Sequence, residues 1–302
     1  MTFYVEPIAS RRTRTRSVTA MSTAADTIDF ATEWQAWHDA HETNRADPHG
    51  FLAVTSLNWL DETPTRYPDA PGEWSTSAAG PVVRLSDGEQ IVVDGRAIVG
   101  STDRVTYEFG VIPERGGVTV SAGDAEFEVA RRGGADILRP RHPSHPTRVE
   151  YAGTPVFAPN RSWVAEGTFR AFTEPKPVTV GSVAEGLEHV YDSPGVIEFE
   201  LGGESLSLTA FNGPTPGSLF VLFTDATSGV TTYAANRSLQ IDAPDASGRV
   251  TVDFNRATNL PCAYTEFATC PLPPSENRLP IGIEAGEKTP LRPSAATDGD
   301  AR

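Results

Sequence analysis

The chain has 302 residues, 38% of them hydrophobic, and carries a formal charge of −15. That acidity argues against nucleic acid and the membrane surface as partners, because such a surface repels phosphate and anionic lipid. No apolar run approaches the length of a membrane span.

In chain order, residues 1–28 read as a disordered basic tail. Arg11, Arg12, Arg14 and Arg16 lie there, with no continuous apolar core of the kind a secretory signal needs. Either Met1 or Met21 is the native start. The two cysteines, Cys262 and Cys270, give no disulfide framework, which agrees with a reducing compartment. The expected location is the cytoplasm.

One helix stands out. Asp29 is a plausible N-cap, and Phe30, Trp34, Trp37, His38 and His41 recur with a helical period. The spacing predicts an amphipathic helix that ends near Asp47–Pro48, since a residue before proline is pushed away from helical geometry. Its tryptophans read as a packing face, and His38 and His41 read as packing and surface.

Beyond Phe51 the chain becomes a series of short alternating strands. They include 81–85, 90–93, 97–99, 118–121, 125–130, 178–180, 196–201, 205–210, 219–224, 230–233 and 249–254. Asp87-Gly88 and Asp94-Gly95 carry a strong hairpin signal. The pattern predicts a mainly β, antiparallel fold, sandwich-like or barrel-like, with the one N-terminal helix packed on it. No phosphate-binding glycine loop and no nucleophile elbow is present, which disfavours the usual nucleotide enzymes and the α/β-hydrolases. Residues 29–288 read as a single mostly β unit, with two lobes dividing near 138–150, where His142 and His145 sit in a proline-rich loop. Those prolines preclude a helical metal motif, and no metal site is assigned. Residues 289–302 read as a second disordered tail.

Chemistry concentrates between Phe223 and Lys288. If a strand runs through Ala235, Thr231, Tyr233 and Arg237 share one face, and Thr251, Asp253 and Asn255 share another. Asp225 and Asp253 are the candidate catalytic carboxylates. Tyr233, Arg237, Asn255, Asn259, Tyr264 and Asn277 are the candidate ligand-binding groups. Cys262 and Cys270 are seven residues apart, which is not the spacing of a zinc or dithiol-redox motif, and they read as small buried thiols. Ile281 and Ile283 fit a last strand, with Glu284 and Glu287 near its end.

Three functions remain open on these residues. One is a small-molecule site in a polar pocket formed by residues 223–287, taking an anionic or carbonyl-bearing ligand. Another is a hydrolase or isomerase with a carboxylate base. The third is a structural or assembly module in which the polar groups lock a loop onto a sheet. Neither a cofactor nor an oligomeric state follows from the sequence.

The run resembles an uncharacterised family, domain of unknown function 1684. The resemblance is carried by Phe223-Thr-Asp225, Thr227-Ser-Gly229, Thr232-Tyr233, Arg237 and Asp253-Phe-Asn-Arg-Ala257. It continues through Pro261-Cys-Ala-Tyr264, Cys270-Pro-Leu-Pro-Pro274, Glu276-Asn277 and Ala285-Gly-Glu287. It extends back to the helix with Trp34 and to Trp59-Leu60. Leu260 and Ala234-Ala-Asn236 depart from the family pattern. The resemblance implies that these residues form one unit, and it implies no reaction, cofactor or partner.

Overall fold

The computed structural model describes residues 24–291. It is mainly antiparallel β, with one long helix, α1 (Ala24–Arg45). The helix begins five residues before Asp29, so Asp29 lies inside it and is not its N-cap. The greater part of each expected tail, residues 1–23 and 292–302, lies outside the described residues.

Two hydrophobic cores divide the strands. Between Asn58 and Arg141 a six-stranded and a four-stranded antiparallel sheet pack around Trp74, Leu85, Ile91, Val120, Phe127 and Val129. The Asp94-Gly95 turn joins two paired strands, and both its residues have positive φ, 48° and 74°, as a tight primed hairpin turn requires. The Asp87-Gly88 turn instead passes the chain from one sheet to the other, so it forms no hairpin. Local composition sets a turn, but the partner of each flanking strand is chosen by packing.

The second core belongs to one curled sheet of six strands: β1 (Val164–Gly181), β2 (Glu188–Leu201), β3 (Glu204–Asn212), β4 (Leu219–Phe223), β5 (Arg237–Ile241) and β6 (Arg249–Asp253). Their spatial order is β5-β4-β3-β2-β1-β6, so β5 and β6 are the two edges. Alternation along β6 buries Val250 and Val252 while Thr251 stays exposed, as the period of two requires. Phe254 completes the buried row, but the chain then tightens into a 3-10 turn over Phe254–Arg256, which buries Asn255 and takes it off the Thr251 face.

Two expected strands do not form. Residues 230–233 lie in a compact loop stitched by bonds from the Val230, Thr231 and Thr232 amides to the Thr227 carbonyl. Residues 281–287 run as an irregular segment, pinned by an isolated bridge between Val156 and Glu287. In both places the backbone bonds are satisfied by loops and not by a ladder, which hydropathy alone does not distinguish.

Although α1 precedes the first lobe in sequence, it docks on the second. Trp34 is 4% exposed, and its Nε1–H donates to the Asn255 carbonyl at 2.7 Å across 221 residues of sequence. Trp34→Phe keeps most of the bulk and orphans that carbonyl. It should cost about 1–3 kcal/mol in denaturant unfolding, the range for a buried polar group left unpaired.

Candidate functional site

The Asp225–Arg237 pair is a lock inside the second core. Their side chains are 0% and 1% exposed, and the carboxylate accepts from Arg237 at 2.6 Å. The guanidinium also donates to the carbonyls of Ile283 and Ala285 and stacks over Phe223. The other carboxylate oxygen of Asp225 accepts from the amide and hydroxyl of Thr227. Burial pushes the Arg237 guanidinium below its usual range, and the charge of Asp225 works against that shift. These groups face each other and the 281–287 segment, and none of them lines a described cavity.

The amide side chains act in the same way. Asn277 mimics a strand, accepting from the Thr209 amide and donating to the Thr209 and Leu222 carbonyls. Asn255 exchanges two bonds with the backbone of Asn160 and donates to Asp253. Asn259 donates to the Lys288 carbonyl, and Tyr233 donates to the Cys262 carbonyl at 2.9 Å. Cys262 and Cys270 are free and buried in one small cluster with Leu222, Leu260 and Ala268.

A second polar assembly forms where the end of α1 meets the C-terminal segment. Arg45, 5% exposed, donates to Glu287 at 2.6 Å, to His41 Nε2 at 2.6 Å, and to Thr154, Tyr151, Tyr264 and Glu42. Glu287, 2% exposed, takes Arg45 on one oxygen and the Asn259 amide, at 2.6 Å, on the other. Burial opposes ionisation of Glu287, yet Arg45 and the Asn259 amide hold its carboxyl below the usual range. Burial likewise works to lower Arg45, but Glu287, Tyr264 and Tyr151 raise it overall. Burial and Glu42 push Tyr151 up to about 12, and burial with Glu287 pushes Tyr264 higher still.

His41 carries this assembly to a surface cleft of about 520 Å³. The cleft lies between α1, which supplies Trp37 and His41, and the two sheet edges, which supply Gln240, Asp242, Thr251 and Asp253. Thr258 and Arg256 complete its polar rim, Arg256 sitting over the Trp37 ring and 3.5 Å from Asp253. Asp253 thus lies well apart in role from Asp225: it caps the 254–256 turn and lines the cleft. Of the residues singled out in the sequence, Asn259, Tyr264 and Glu287 meet in the Arg45 assembly, and Asp225 meets Arg237 in the lock.

Arg45, Thr154 and Tyr151 were not singled out, Trp37 read only as packing, and Arg256 stood only within the Asp253–Ala257 motif. Arg45 does lie on the helical face that Phe30, Trp34, Trp37 and His41 begin, and a charge continuing an aromatic stripe is a readable sign of a buried partner. Among the described residues, no three or more His, Cys, Asp or Glu side chains are placed to hold a metal ion. No helix is long and apolar enough to cross a membrane.

Residues 149–288 match the family described as protein of unknown function (DUF1684), and this stretch of the chain belongs to it. The matched stretch takes in the second lobe and its C-terminal segment, but not the segments around Trp34 and Trp59. An uncharacterized protein of Haloarcula marismortui, solved by solution NMR, is 32% identical over 47% of this chain and 80% of its own, with a TM-score of 0.40. No curated protein matches the chain.

Two stability measurements separate the assemblies. Asp225→Ala leaves a buried guanidinium without its counter-charge and should cost about 3–5 kcal/mol in urea unfolding. Glu287 has a depressed folded pKa, so its stabilisation is present above the ordinary carboxylate pKa and is lost as pH falls through the folded value. Wild-type stability should therefore fall more steeply with acidification below about pH 4.5 than that of Glu287→Gln.

Proposed function

We propose that the protein binds a small carbonyl-bearing molecule in the cleft between α1 and the sheet edges. The observation that carries this reading is the state in which His41 is held. Arginine has no lone pair to offer, so the 2.6 Å contact makes His41 Nε2 the acceptor of an Arg45 N–H. The ring proton of neutral His41 then resides on Nδ1, which has no hydrogen-bond partner among the described residues, on a side chain that lines the cleft. A fixed N–H donor backed by a buried ion pair suits a carbonyl oxygen. Trp37 stacks on the imidazole with ring centroids 5.4 Å apart, which limits its rotation.

Asp242 and Asp253 line the same cleft against one guanidinium, Arg256, so the field inside disfavours a net anion. Of the two ligand types open from the sequence, the neutral carbonyl is the better fit. The Thr251 and Thr258 hydroxyls and the two carboxylates supply further polar contacts. The acidic surface and the two free thiols support a cytoplasmic protein without nucleic-acid partners.

A thermal-shift screen of neutral carbonyl metabolites tests this on the wild type, Arg237→Lys and His41→Gln. The glutamine carbonyl keeps an acceptor for Arg45, and its NH2 lies at the end of the side chain and not at the Nδ1 position beside Cγ. Hits should stabilise the wild type and Arg237→Lys relative to each ligand-free protein, and should shift His41→Gln at least tenfold less sensitively in ligand concentration. Equal sensitivity of His41→Gln and wild type would remove His41 from the site.

A further inference from the structure

The cleft is bounded by the two edges of a sheet that curls without closing, and their backbone phase can be read from bonds already made. In an antiparallel ladder, successive residues aim N–H and C=O at opposite neighbours. Ser238 exchanges both backbone bonds with Thr258, at 2.8 and 2.9 Å, on the side of β5 away from β4. Gln240, two residues on, aims its N–H and C=O to that same outer side. On β6, the amide and carbonyl of Arg249 are both taken by Asp245, on the side away from β1. Thr251 and Asp253 share that phase, so their backbone groups also point away from β1.

Gln240, Thr251 and Asp253 line the cleft, together with Ile241 of β5, whose backbone faces β4. None of their outward backbone groups has a hydrogen-bond partner among the described residues. At one end the outer edge of β5 is already zipped by Thr258, in an antiparallel bridge. Beyond Thr258 that edge carries no partner, and the cleft opens there. An edge that accepts an extended antiparallel partner at Ser238 offers the same geometry two residues later.

We propose that the ligand of this cleft is a short extended peptide segment, which continues the ladder begun by Thr258 along the outer edge of β5. This rests on the reading of the cleft as a carbonyl site and narrows that carbonyl to a peptide amide, the group that offers an N–H and a C=O at the spacing a strand edge demands. His41 takes the carbonyl at the α1 side. Asp242 is exposed and has no ion-pair or hydrogen-bond partner among the described residues, so a lysine or arginine side chain on the peptide finds its counter-charge there. The volume of about 520 Å³ holds a few residues and not a long segment.

The test varies the ligand, which leaves the fold of the protein untouched. An acetyl- and amide-capped Ala-Lys-Ala peptide is titrated into the full chain labelled with 15N. The backbone amides of Gln240, Thr251 and Asp253 should shift together, and Asp242→Asn should weaken this peptide more than capped Ala-Ala-Ala. Replacing the central amide with an ester removes one N–H and should weaken binding about tenfold, the value of one net hydrogen bond. An ester that binds as tightly as the amide overturns strand pairing while leaving a carbonyl site intact. Absence of peptide binding overturns the proposal as well, and the metabolite screen with His41→Gln then decides separately whether the cleft takes any carbonyl compound.

Discussion

The contact on which the rest of this structure depends is the buried pair between Arg45, at the end of α1, and Glu287, near the C-terminal end of the described chain. Both side chains are 2% exposed, and 242 residues separate them in sequence. Two such charges are costly to desolvate, and only an environment that satisfies the remaining donors and lone pairs makes the pair tolerable. Thr154, Tyr151, Tyr264, Glu42, His41 and the Asn259 amide supply that environment. The helix is therefore held to the second lobe by a polar anchor as well as by Trp34. The first lobe, with its own core, is inserted between the two partners in sequence.

Two arginines grip the same C-terminal segment from different sides, and they differ in how far their contacts reach. Arg237 reaches the carbonyls of Ile283 and Ala285 and is neutralised by Asp225 in a filled core. Its contacts end there, which is the behaviour of a lock. Arg45 also neutralises a carboxylate, but one of its bonds ends on a half-buried histidine that borders a cleft. The buried ion pair is thereby in contact with a half-buried imidazole that lines a surface cleft. That contact sets the Arg45 assembly apart from the lock.

The cleft itself follows from the topology. A six-stranded sheet that curls until its edges approach must either close into a barrel or leave a seam. Here Ser238 and Thr258 stitch part of the seam, and α1 shelters the remainder with Trp37 and His41. The unpaired backbone groups that an edge strand would expose to solvent are thereby gathered inside a concave surface. Charges along the rim, Asp242 and Asp253 among them, also discourage edge-to-edge association with another sheet.

Much of the architecture was legible in the sequence because it rests on local periodicity. The aromatic stripe from Phe30 to His41 marked α1, alternation along 249–253 marked β6, and the family motifs marked 223–288 as one unit. The individual residues of the site were less legible. Asp225 and Arg237 were visible as charges, but only packing shows that they face each other. The 230–233 segment alternates like a strand and yet bonds within its own loop, because an alternating pattern carries no information about which backbone partner is in reach. What the sequence by itself determined is the mainly β class, the helix and the stretch where polar residues concentrate, each of them a matter of composition and spacing along the chain. Only the tertiary structure decided that Arg45 is neutralised by Glu287 beside His41 and that Arg237 is enclosed with Asp225, since burial and counter-charge are set by folded neighbours, 242 residues away for Arg45 and 12 for Arg237.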